Sequence, residues 1–213
     1  MRGEILLRVI IEDFGAQVAS VWEGLRSTTR SLIVSALQQP AVTTEARGSV
    51  RYDARADWEL SRLLSVLDER VVEAGSSMNT EQSVGLHRMA EVTASVLESQ
   101  TQSAEVFTQL VARAYRTRDF KRIDTLADAL SVRFAPSEVC EIARSNHPVV
   151  RALAQEALAQ SQTTTLLQLL GDPIDAEIAR DALERQASEY DSELARQVVN
   201  ALNQADESEE DEI

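Results

Sequence analysis

The chain has 213 residues, seven of them glycine and four proline, together about 5% against a typical ~12%. So few breakers exclude the many tight turns of a β-sandwich or barrel, and an apolar share of 44%, mostly Leu, Val and Ala, predicts an all-α protein with a sizeable core. The formal charge of −14, from 35 acids against 21 bases, repels a phosphate backbone and disfavours nucleic acid as a partner.

The N-terminus reads MRGEILLRVIIEDFG. Its apolar run, from Ile5 to Ile11, is broken by Arg8 and preceded by Glu4, too short and too charged for a signal segment and far below the ~20 residues of a membrane span. This predicts a cytoplasmic location and no membrane partner. Residues 3–38 carry a helical pattern, read as two helices with weak points at Gly15 and Gly24 and a hard stop at Pro40. Leu32, Ile33, Ala36 and Leu37 share one face of the second, and Trp22 takes a core position. The stretch PAVTTEARGSVRYD at 40–53 has no period and reads as a loop or linker.

Residues 54–74 form a strong amphipathic helix, with Leu60, Leu63, Leu64, Leu67, Val71 and Ala74 at three-and-four spacing. Trp58 falls off that face and packs on the 40–53 loop or marks a partner surface. After GSSMNT, Asn79 and Gln82 stand in the positions of a capping box. The helix that follows carries Leu86, Met89, Ala90, Thr93, Val96 and Leu97 on one face and ends at the polar SQTQS of 99–103.

Shorter helices follow at 104–117, 120–134, 137–145 and 148–160. Another is marked by Leu166, Leu167 and Leu170 and closed by Gly171, and the last two cover 173–188 and 191–203. In the final one Leu194, Ala195, Val198, Val199 and Leu202 recur on one face. The closing DESEEDEI holds six acids and no base, buries nothing, and reads as disordered. This gives N-terminal helices at 1–39, a linker at 40–53, a helical domain at 54–204 and an acidic tail at 205–213.

Two stretches align at an offset of 25. HPVVRALAQEALAQ at 147–160 matches DPIDAEIARDALERQ at 172–186, pairing Pro148 with Pro173, Ala154 with Ala179, Ala157 with Ala182 and Leu158 with Leu183. Each proline suits a first helical position, and Asp172 suits an N-cap. Over roughly residues 119–203 the pattern resembles the HEAT-like and leucine-rich-variant helical repeats, although Asp175-Ala176 stands where Val150-Arg151 stands in the first copy. That resemblance implies a short α-solenoid of stacked antiparallel helix pairs with an extended surface.

No motif for chemistry stands out. The glycines do not cluster into a phosphate loop, and neither His87 nor His147 sits in a helical metal-binding spacing. Cys140, the only cysteine, forms no internal disulfide and reads as a buried thiol beside Val139, Ile142 and Ala143 rather than a nucleophile paired with His147. The reading is no catalytic, cofactor or metal site, and no enzyme.

One polar cluster departs from the acidic background. RAYRTRDFKR at 113–122 holds Arg113, Arg116, Arg118, Lys121 and Arg122 against one acid, Asp119, with Tyr115 and Phe120 interleaved. It reads as a partner-binding patch for an acidic peptide, a phosphate or a nucleic acid, or as a solvated corner whose cations offset a helix C-terminus. The expected function is a non-catalytic protein–protein interaction module, an adaptor, scaffold or regulatory subunit, acting as monomer or homodimer. The alternatives are a HEAT-like nucleic-acid-binding or DNA-repair protein using the 113–122 patch, and a self-assembling helical protein pairing through residues 1–38.

Overall fold

The computed structural model describes residues 11–38, 52–74 and 78–210. Every regular element among them is an α-helix. Packing divides the chain into two compact units, Met1–Val106 and Phe107–Ile213.

In the first unit a helical turn at 11–13 closes onto Gly15, whose φ of +112° is a conformation side-chain-bearing residues avoid. The chain bends there and begins α1 (Ala16–Gly24), followed by α2 (Ser27–Gln38), α3 (Ala54–Ala74) and α4 (Thr80–Gln100). The bend is fastened from α3, where Arg70 Nε donates to the Phe14 carbonyl at 2.8 Å. α3 and α4 lie against each other; α1 packs on α3, and α2 on α4 and α3.

The predicted faces of α3 and α4 are covered over most of their length, whereas of Leu32, Ile33, Ala36 and Leu37 on α2 only Ile33 is fully buried and the others are half-buried. Leu60, Leu63, Leu64 and Leu67 of α3 meet solvent nowhere, nor do Leu86, Ala94 and Leu97 of α4, and Trp22 is buried as expected. Each such large side chain contributes about 1.5–3 kcal/mol by leaving water. Phe14 is buried beside Gly85, where a Cβ would stand 3.4 Å from the ring. The capping box of α4 is formed: Gln82 N–H donates to Asn79 Oδ1 at 2.8 Å, and Asn79 N–H donates to Gln82 Oε1 at 3.3 Å.

The sequence places the main boundary in 40–53, of which 40–51 lie outside the described residues. The packing groups α1 and α2 with α3 and α4 in the first unit, where the apolar sides of α1 and α2, with Val18, Trp22 and Ile33, are covered by α3 and α4. The helices at 16–38 therefore belong with those at 54–100.

The division falls inside α5 (Ala104–Arg116). The second unit continues with α6 (Phe120–Arg133), α7 (Pro136–Ala143), α8 (Pro148–Ala159), α9 (Thr163–Leu169), α10 (Ala176–Ser188) and α11 (Glu193–Glu210). α8 packs on α6, α7 and α10; α10 packs on α9 and α11. Phe107 and Phe134 meet edge to face with centroids 5.3 Å apart, an arrangement worth about 0.5–1.5 kcal/mol beyond burial. Pro136 and Pro148 each open a helix, where a missing N–H costs nothing.

Three expectations change here. Pro173 does not open α10, which starts three residues later, at Ala176. Asp172 accepts the Ile174 N–H through Oδ1 at 2.9 Å, a local turn that competes with helix. The N-cap is Asp175, whose carboxylate makes an ion pair with Arg144, the C-cap residue of α7, instead of capping. The apolar faces nevertheless keep the offset of 25, since Ala154 and Ala179, and Leu158 and Leu183, are all buried. Second, α11 continues to Glu210, through most of the run read as a disordered tail. Extension of an existing helix costs far less than its nucleus, and Ala, Gln and Glu are strong helix formers. Third, Leu167 and Leu194 are exposed rather than buried with their neighbours.

Candidate interaction surface

The basic cluster occupies the corner between α5 and α6, in the second unit. α5 closes on itself in two backbone bonds. Asp119 N–H donates to the Ala114 carbonyl at 2.9 Å, and Arg118 N–H to the Tyr115 carbonyl at 3.1 Å. This is a Schellman closure, which needs a left-handed residue at the position Arg118 fills with φ 58°. The Thr117 hydroxyl adds bonds to the carbonyls of Arg113 at 3.2 Å and Ala114 at 3.1 Å. Asp119 then caps α6, accepting the Arg122 N–H at 3.2 Å. Asp119, the one acid of the cluster, is thus committed to the backbone.

The five cations do not form one patch. Arg113 is 7% exposed, on the face of α5 that carries Leu110 and Ala114, and so withdraws from the surface. Arg122 is half-buried, and Arg116, Arg118 and Lys121 are exposed. Arg113 and Arg116 lie in the last turn of α5, where positive charge favours the negative end of the helix dipole. Two large rings stand out beside them, Phe120 at 60% and Tyr115 at 49% exposure. The Tyr115 ring meets the edge of His147, the N-cap residue of α8, with centroids 5.5 Å apart. Two aromatic rings and three exposed cations are therefore held on a short turn whose backbone is fixed at both ends.

Cys140 is fully buried; burial, and then the Asp175 charge, push its thiol up to about 11, with Arg144 opposing. It is a thiol rather than a thiolate at neutral pH. His147 makes no side-chain cap to α8, and His87 is exposed with Nδ1 2.8 Å from the Ser83 carbonyl. Among the described residues no group of three or more His, Cys, Asp or Glu is placed to hold a metal, and no helix is long and apolar enough to cross a membrane. Trp58 is 58% exposed, with the Arg62 guanidinium 5.8 Å over its ring.

Two buried carboxylates escaped the reading of the sequence. Glu59 of α3 accepts the Thr29 hydroxyl, the Arg26 N–H at 3.3 Å and Arg26 Nε at 2.9 Å. Burial pushes its carboxyl up, but these donors outweigh burial and hold it below the usual range. Asp57, also buried, receives the Gln100 amide at 3.4 Å; burial wins there and raises its carboxyl. The available signal is an acid on an apolar stripe, since Glu59 falls between Ala56 and Leu63 at three-and-four spacing.

Comparison with family models, curated proteins and solved structures finds no match to this chain.

Proposed function

We propose that the chain is a non-catalytic protein–protein interaction module of the cytoplasm, an adaptor or regulatory subunit, that docks an acidic partner segment on the α5–α6 corner. The observation that carries this reading is the pairing of exposed Tyr115 and Phe120 with exposed Arg116, Arg118 and Lys121. Aromatic and Arg side chains are the groups that most often anchor interfaces. The fixed turn beneath them lowers the entropy lost on docking.

The same reading takes the second unit as a short stack of helix pairs. Its support is the regular start of α6, α8 and α10 at residues 120, 148 and 176, together with the packing of α8 against both others. The acidic background of the chain opposes the long, dense charge of a nucleic-acid backbone more than a short acidic segment seated on the corner's cations.

The test is affinity capture from the native cytosol after nuclease treatment, with the natural chain and an R118E/K121E/F120A variant compared by mass spectrometry. A partner that survives nuclease and is lost with the variant supports the reading. A partner held equally by the variant removes the corner from it, and a partner set lost with nuclease replaces it with nucleic-acid binding.

A further inference from the structure

A groove of about 380 Å³ opens between α8 and α10, in the size range of ligand sites. Its floor is apolar, made by Leu158, which is 2% exposed, and Ala182, 3% exposed, with Ile178 beside them. Lining residues run from Ile178 to Ser188, about 15 Å along α10 at 1.5 Å per residue. That length suits an extended segment better than a compact molecule.

The charges around the groove have one sign to spare. The Arg185 guanidinium is held by Glu156 and Glu189, both at 3.0 Å, and Glu156 also receives the Tyr190 hydroxyl. Arg180 is 3.4 Å from Glu184. The Asp181 carboxylate lies on the exposed side of the wall, without an ion-pair partner among the described residues. Of the charged residues that line the groove, Asp181 and Glu184 are acids and Arg185 is the base; Arg185 is already engaged by Glu156 and Glu189, and Glu184 by Arg180, which leaves Asp181.

We propose that this groove docks a basic linear segment of a partner protein, with the aliphatic stem of an Arg or Lys on Leu158 and Ala182 and its charged head at Asp181. An apolar floor under an anionic rim matches a side chain that is apolar along its length and cationic at its tip. The same rim repels phosphate groups and carboxylate-rich segments, so this site and the α5–α6 corner select opposite charges and stand or fall separately.

The probe is a short fluorescein-labelled peptide rich in arginine and leucine, with a twin carrying glutamate in place of arginine. Anisotropy is measured at low and high salt, and amide shifts map the contact. The expected result is salt-sensitive binding of the basic peptide alone, with shifts confined to residues 155–158 and 178–188. Asp181→Lys and Ala182→Leu each weaken it by about tenfold or more, the scale of a lost close charge pair. Asp128→Lys, an equal charge change on exposed α6, leaves it unchanged, and thermal melts of all three variants establish that they fold. Equal weakening by Asp128→Lys, or shifts scattered over the acidic surface, overturns the proposal.

Discussion

The Glu59 carboxylate of α3 accepts the hydroxyl of Thr29, which lies in the first turn of α2, a helix to which Glu59 does not belong. It also accepts the backbone N–H of Arg26, just ahead of that helix, the bond that a glutamate three residues into a helix makes in a capping box. It brings negative charge to the positive end of the helix dipole.

Replacing Glu59 with alanine removes a backbone N–H bond, a guanidinium bond and a hydroxyl bond together. The expected loss is about 2–3 kcal/mol, since Arg26 is partly exposed and regains water. Denaturant unfolding measures it. A group with a depressed carboxyl stabilises above its ordinary range and loses that contribution as pH falls through the folded value. The gap between wild type and Glu59→Gln therefore narrows on acidification below about pH 4.

Asp57 runs the other way. Its carboxyl is raised, so the folded state holds a proton that the unfolded state has released. Stability associated with this group is fully present below the ordinary Asp value, declines as pH rises through the folded value, and is then constant. Carbon-detected NMR titration of the side-chain carboxyls will find Asp57 deprotonating above the ordinary aspartate range, and Glu59 below the ordinary glutamate range. Reversal of that order would contradict the hydrogen bonding described here.

Arg118 holds a left-handed conformation that costs an ordinary residue about 1–2 kcal/mol. Glycine removes that cost but brings extra freedom to the unfolded chain. Arg118→Gly is expected to stabilise the second unit by roughly 0.5–1 kcal/mol, read as a higher denaturation midpoint at unchanged slope. A lower midpoint would mean that the Arg118 side chain contributes more than its backbone costs.

Cys140 is fully buried, with its thiol pushed up to about 11. At pH 8 it is expected to resist a disulfide reagent in the native protein and to react at once in denaturant. The native rate follows unfolding rather than reagent concentration once opening limits it. Fast labelling of the native chain would show an accessible thiolate.

Much of the fold was legible because helix faces repeat locally. The Leu60, Leu63, Leu64 and Leu67 stripe, the Asn79–Gln82 cap and the proline at 148 need only a few neighbouring residues to be read. What escaped depends on residues far apart in sequence. Arg26 and Thr29 find Glu59 about thirty positions away, and Arg144 finds Asp175 at a similar distance. The corner was found as a sequence cluster, but the withdrawal of Arg113 follows from helix phase: it shares the buried side with Leu110 and Ala114, while Arg116 does not.

Arg70 has a consequence for exchange with solvent. Its Nε reaches the Phe14 carbonyl at 2.8 Å, one residue before the left-handed Gly15. The entrance to α1 is thereby tied to the late turns of α3, more than fifty residues away in sequence. Amides at 14–18 and those around 70 are expected to open to deuterium as one cooperative event, with matching protection. Arg70→Leu would uncouple them, releasing the front of the unit to exchange early while α3 stays closed.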